Sequence, residues 1–186
     1  GFIGSNFINY MLDKYADIGM KIINIDALYY CANVNNVAAW IRDRHFYKFI
    51  KGNIQNKEFM DYIFECEKPD YVIHFAAQSH VDNSFNSKEC LNYTMDNVLG
   101  THVLLDVCNS YMAKYPGKLT RIIHVSTDEV YGESLLDDIK HKHEDSSILM
   151  TTNPYAATKA GAEMMAFSYM HSFNLPMIIT RSNNIF

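Results

Sequence analysis

The chain has 186 residues, 48% of them hydrophobic and 20% charged, which is enough for one domain with a substantial core and short of two. A formal charge of -5, without any basic run, gives no electrostatic argument for a nucleic-acid partner. No stretch is apolar for long enough to span a bilayer, so no membrane role is expected.

In chain order, the apolar spacing predicts a helix from about Ser5 to Ile18 and a strand from Lys21 to Asp26. After the loop YYCANVNN come a short strand at Tyr47–Lys51, a helix from about Asn56 to Cys66, and the strand DYVIHFAA from Asp70. A long helical pattern runs from Ser87 to Lys114, followed by the strand TRIIHVS. An acidic, His-containing loop reaches Thr152, a helix covers Pro154 to about Phe173, and LPMIITR is a last strand. Strands alternate with helices, and several strands are apolar throughout, as a sheet covered on both faces requires. The reading is α/β, a doubly wound parallel sheet in one domain over residues 1–186. The chain opens on a glycine turn with no strand before it and stops just after a strand. It is therefore expected to be an internal segment of a longer protein.

Cys31, Cys66, Cys90 and Cys108 lie far apart with no C-x-x-C pair, which argues against structural zinc and against a disulfide framework. They read as reduced thiols of a cytoplasmic protein. His74, His80 and Asp82 lack a ligand spacing with a further partner, and His141 with His143 reads as a solvated loop, so no metal is expected.

Three motifs carry chemistry. GFIGSN brings Gly1 and Gly4 to the head of a helix, where backbone N–H groups can meet a pyrophosphate and the second glycine permits close helix–strand packing. Asp26 ends the next strand, placed to accept from both ribose hydroxyls and to repel a 2′-phosphate, which favours NAD over NADP. In HFAAQSHVD, Ala76 and Ala77 are small enough for a flat cofactor to lie against the strand end. In NPYAATKAGAE, Asn153 caps a helix with Pro154 at its first position, so Tyr155 and Lys159 share a face at i and i+4. A phenol titrates near 10, and a lysine ammonium beside it would favour the phenolate and make it a proton acceptor. Finally, HVSTDEVYG ends a strand in Thr127, Asp128 and Glu129. Neighbouring residues on a regular strand point to opposite faces, so both carboxylates can reach one ligand only if the strand gives way there to a loop or helical turn.

Together GFIGSN, Asp26 with ALYYCAN, HFAAQSHVDNSF, GTHVLLDVC, HVSTDEVYGE, TNPYAATKAGAE and ITRSNNIF resemble the extended short-chain dehydrogenase/reductase family. Within it they resemble the nucleoside-diphosphate-glucose 4,6-dehydratases, over essentially the whole chain. NPYAATKAGAEM and HFAAQSHVDNSF are most similar to the UDP-glucose branch. The resemblance implies a Rossmann fold, here without its first strand and its C-terminal substrate lobe, with one bound NAD. It also implies a homodimer formed through the Ser87–Lys114 and Pro154–Phe173 helices.

Tyr155 would take the proton from the sugar 4-hydroxyl as hydride leaves C4, with Thr127 bonding the reacting oxygen and Lys159 holding the ribose and lowering the Tyr155 pKa. Glu129 would then take the C5 proton while Asp128 protonates the departing 6-hydroxyl, before hydride returns to C6 and a proton to C5. The product is a 4-keto-6-deoxy sugar nucleotide, as used to make rhamnose-type deoxysugars. By the same resemblance Gly1, Phe2, Ile3, Gly4, Asp26, Asn53, Ile54, Phe75, Ala76, Ala77, Ser79, Asn97, Ser126, Tyr155 and Lys159 line the cofactor, with Asn97 supporting Lys159. Ser79, His80, Thr127, Asp128, Glu129, Asn183 and Asn184 line the substrate. Asn53 stands where the family often has Asp. Related epimerases, decarboxylases, GDP-mannose 4,6-dehydratase and a non-catalytic NAD-binding relative are the alternatives; the adjacent Asp128 and Glu129 argue against them.

Overall fold

Helix α1, Phe2–Tyr15, starts immediately after Gly1 and buries Ser5, Ile8 and Leu12 along one stripe. A computed structural model describes residues 1–133, 142–144 and 149–185 of the chain. The helix begins earlier than its apolar spacing suggests, because that spacing is first visible at Ile8.

Strand β1, Ile22–Asp26, pairs in parallel with β2, Tyr47–Lys51. Between them lie a 3-10 turn at Val34–Asn36 and α2, Ala39–Arg42, neither of which the sequence pattern reveals. Helix α3, Lys57–Glu67, is capped by Asn56, whose side-chain oxygen accepts from the Phe59 N–H, and ends at Lys68 in the left-handed region. Strand β3, Tyr71–His74, is shorter than DYVIHFAA predicts, since Phe75 to His80 are irregular. It pairs with β4, Arg121–Thr127, which pairs with β5, Met177–Ser182, all parallel. Helix α7, Pro154–Phe173, crosses back between β4 and β5.

Two differences from expectation matter. The hydrogen-bonded strands fall into two groups, β1-β2 and β3-β4-β5, and β1 is half-buried along its whole length rather than buried. Among the described residues no strand pairs with the free edge of β1, so its apolar side chains are only partly covered. The long helix expected from Ser87 runs unbroken from Cys90 to Lys114 but carries a π-helical turn: α5, Cys90–Tyr93, the π turn at Thr94–Leu99, and α6, Gly100–Lys114, with a separate short α4, Val81–Ser84, before it. A π turn accommodates one extra residue and is frequent at functional sites. Here it turns Asp96 and Asn97 inward together, and both are buried.

The main core packs Met60 and Phe64 of α3, Leu104, Leu105 and Cys108 of α6, and Ile122 and Met177 of the sheet. Burying each such side chain contributes roughly 1.5–3 kcal/mol. A second cluster joins Ile8 and Leu12 to Val37, Ile41 and Tyr47. All four cysteines are free, and burial pushes the Cys108 thiol up. His141 lies outside the described residues.

Candidate active site

Thr127 is the last residue of β4 and also the cap of a 3-10 turn, Asp128–Tyr131, its hydroxyl accepting from the Glu129 N–H at 3.3 Å. The strand therefore gives way where the two carboxylates require it to. Gly132 closes the turn at φ 79°, and a Cβ there would stand 1.9 Å from the Met150 carbonyl oxygen. Only glycine serves both conditions. Met150 in turn donates its N–H to the Val130 carbonyl at 3.1 Å, holding its segment over the turn.

Helix α7 delivers the other half. Asn153 Oδ1 accepts from the Ala156 N–H at 2.8 Å, with Pro154 in the first position. One turn apart, Tyr155, Lys159 and Glu163 form a buried polar row. The Tyr155 phenol is raised above its usual value by burial and then by Glu129 and Asp128, while a hydrogen bond from the Thr127 side chain pulls it down. Thr127, Asp128 and Glu129 thus all bear on the Tyr155 phenol.

Lys159 is not among these influences on the phenol. Lys159 Nζ donates to the Val125 carbonyl at 2.8 Å, and burial lowers its ammonium to about 8 against the opposing pull of Glu163. In this arrangement desolvation and two carboxylates act on the phenol without relief from the ammonium. Asn97 likewise does not touch Lys159. Its Nδ2 donates to Thr158 Oγ1 at 2.9 Å and to the Gln78 carbonyl at 3.0 Å, and its Oδ1 accepts from the Gln78 N–H. It clamps the first turn of α7 to the segment after β3, so any support of the lysine runs through the backbone.

Of the other candidates, Asp26 lies beside the head of α1: Oδ1 accepts from the Leu28 N–H at 2.7 Å and Oδ2 is 3.4 Å from the Gly1 nitrogen. No side chain caps α1, leaving the N–H groups of Phe2, Ile3 and Gly4 for an anion. Gly4 rests on the Phe75 ring, where a Cβ would meet it at an ordinary 3.7 Å, so close packing is not what requires glycine here. Phe75 is also stacked obliquely on Phe7.

Asn53 donates to Tyr29 Oη at 2.9 Å and, with Tyr30, Gln78, Tyr93 and Asp96, walls a cavity of about 500 Å³. Tyr29 Oη and Gln78 Nε2 donate to the Asp96 carboxylate, each at 2.9 Å, and Gln55 donates to it as well. Ile54 packs on Gly100 and the main core. Ala76, Ser79 and His80 are exposed after β3, Ala77 is half-buried, and Ser126 is buried with no partner for Oγ. Asn183 and Asn184 are exposed just beyond Ser182, the register mate of Thr127, and Asn183 Oδ1 accepts from the Asn184 N–H at 2.6 Å. No group of three or more His, Cys, Asp and Glu is placed to hold a metal among the described residues.

Three features escape a reading of the sequence. Arg181 makes a bidentate pair with fully buried Glu163 and donates to Tyr131 Oη at 2.7 Å, tying β5 and α7 to the end of the 128–131 turn. His74 and His124 form a buried ring pair across β3 and β4. Asn153 Nδ2 donates to Glu129 Oε2 at 2.9 Å. The first two had no signal beyond apolar periodicity, and the third showed only as a helix cap.

An α/β fold of parallel strands with helices between them, a glycine turn opening on a helix head and an acidic strand end is that of a Rossmann-type domain. The comparisons narrow it. Residues 1–185 match the family model described as GDP-mannose 4,6 dehydratase, and the chain belongs to that family. It is 48% identical to a dTDP-D-glucose 4,6-dehydratase of Dictyostelium discoideum, covering 100% of this chain and 42% of the relative. It is 45% identical to a trifunctional Arabidopsis thaliana protein whose first named activity is UDP-glucose 4,6-dehydratase, over 100% of this chain and 26% of that one. A crystal structure of the dTDP-glucose 4,6-dehydratase DesIV from Streptomyces venezuelae, with NAD and TYD bound, superposes with a TM-score of 0.82 at 34% identity, covering 97% and 52%. The chain thus spans about half or less of the length of these relatives.

Proposed function

We propose that residues 1–186 are the NAD-binding and catalytic part of a nucleoside-diphosphate-glucose 4,6-dehydratase. The observation that carries this is the junction of the 128–131 turn with the start of α7, where Asn153, two residues before Tyr155, donates to Glu129 Oε2 at 2.9 Å. Epimerization or decarboxylation makes no use of two adjacent carboxylates there.

The residues fit NAD: the free N–H groups at the head of α1 suit its pyrophosphate, and Asp26 suits the adenosine ribose. NAD, when bound, supplies a hydride acceptor and a positive charge near the phenol. Tyr155 then removes the proton from the sugar 4-hydroxyl, with Thr127 bonded to the reacting oxygen. A ketone at C4 acidifies the C5 proton, which Glu129 removes. Asp128 protonates the departing 6-hydroxyl, so the two acids serve in opposite protonation states. Lys159, buried and cationic beside Val125, orients the ribose.

UDP-glucose is the preferred substrate in this reading, supported by the wording of NPYAATKAGAEM, and the product enters rhamnose-type deoxysugar synthesis. A cytoplasmic homodimer through α6 and α7 accompanies it. Met164 and Phe167, exposed on α7, suit such an interface, whereas Met165 packs on the core. No described helix is long and apolar enough to cross a membrane.

The test is to incubate the intact protein with UDP-glucose, dTDP-glucose and GDP-mannose and follow the alkali-induced absorbance of a 4-keto sugar. UDP-glucose is expected to give the strongest signal. NAD binding without signal from any of the three would leave a binding protein and defeat the proposal.

A further inference from the structure

Asn153 uses both ends of its amide. Oδ1 caps α7 through the Ala156 N–H at 2.8 Å, and Nδ2 donates to Glu129 Oε2 at 2.9 Å. The residue sits two positions before Tyr155 and bridges to the 3-10 turn that follows β4. Glu129 is half-buried, and its side chain is long enough to take several rotamers, so a donor at one oxygen fixes which way the other faces. The amide must be oriented as found, since a helix cap accepts and only the nitrogen can donate to a carboxylate.

We infer that Asn153 is a positioning residue for proton removal by Glu129, locking the carboxylate to the same helix that carries Tyr155 and Lys159. This rests on the dehydratase reading, in which Glu129 is the base at C5. One side chain then sets the spacing between the group that handles the 4-hydroxyl proton and the group that handles the C5 proton. Any tilt of α7 moves both together.

Ser and Asp cap helices about as well as Asn, so both variants keep α7 intact; Asn153→Ser withdraws the donor from Glu129 by shortening the side chain to a hydroxyl occupied at the cap, and Asn153→Asp removes it outright. Asn153→Asp further sets a second carboxylate against Glu129. In the intact protein, two events are followed separately: reduced-cofactor formation on mixing with UDP-glucose, and exchange of the sugar C5 hydrogen with solvent deuterium. Asn153→Ser is expected to slow exchange roughly ten- to a hundredfold while leaving cofactor reduction within about twofold. Asn153→Asp should slow exchange further and move the acid side of its pH profile upward.

Exchange within twofold of the unsubstituted protein in both variants overturns the inference. So does equal loss of reduction and exchange, which would mean that Asn153 acts on Tyr155 instead. A readout independent of turnover separates this from failure of the dehydratase reading: the Asn153 side-chain amide protons should exchange slowly with solvent and become fast in Glu129→Ala. If no nucleotide sugar reacts, that exchange alone decides whether Asn153 holds Glu129, and equal rates in the two proteins overturn the inference.

Discussion

Two imidazoles lie where a charge cannot be accommodated. His124 is almost completely buried with neither ring nitrogen paired, and its ring centroid is 5.2 Å from that of His74. Thr101 spends its one hydroxyl proton on the Asn97 carbonyl at 2.6 Å, so His74 Nε2, 2.9 Å from Thr101 Oγ1, must carry the proton and donate. Burial depresses His74 to about 3 and His124 to about 2, with the Lys159 ammonium adding to both and His74 adding to His124. The charged groups facing the pair are therefore Lys159 and, beyond it, Glu163.

A histidine whose folded pKa is depressed leaves stability untouched above its unfolded value near 6.5. Below that value the unfolded chain binds protons that the folded one refuses, and stability falls steadily until the folded pKa is reached. Between pH 7.5 and 5.5 each imidazole then costs about 1.4 kcal/mol, and the pair about 3 kcal/mol. The carboxylates with depressed values, Glu65 and Glu67, lose their stabilization at lower pH, outside this window. Urea unfolding of the intact protein at the two pH values measures the loss. In His124→Phe the loss between the two pH values should fall to about half, whatever the variant does to absolute stability. An undiminished pH dependence in His124→Phe would refute the reasoning.

Two further outcomes follow from the site. Glu163→Gln strands the Arg181 guanidinium, which is only 9% exposed, and should cost about 3–5 kcal/mol in urea unfolding, whereas the double change Glu163→Leu with Arg181→Met should recover most of it. A single-variant cost below about 1 kcal/mol would show that the pair is solvated. Gly132→Ala meets both a left-handed φ and the Met150 carbonyl, and should lower unfolding free energy by about 2 kcal/mol or more together with loss of sugar exchange. Unchanged stability would mean that the turn recloses without glycine.

Where a local rule sets geometry, the sequence was readable. Asn153-Pro154 announced the start of α7, and the order of Tyr155 and Lys159 placed both on its buried face. The adjacency of Asp128 and Glu129 required β4 to break, and a 3-10 turn begins there. What stayed hidden depends on long-range contact. Nothing local to Arg181 says that it lies against Glu163, 18 residues back along the chain. The π turn at Thr94–Leu99 has no distinct periodicity over so few residues, and it changes which side chains point inward. The surroundings of Lys159 were hidden for a different reason: spacing puts it on one face with Tyr155, while burial and the Val125 carbonyl decide where the ammonium goes.

Tyr131, Glu163 and Arg181 belong to a turn, a helix and a strand, yet each satisfies a group the other two leave open. Replacing one alone exposes a deficit in its companions, so inheritance should treat the three as a single character. Lineages descending from a common ancestor would keep the trio whole or exchange it in concert, and mixed combinations should be scarce.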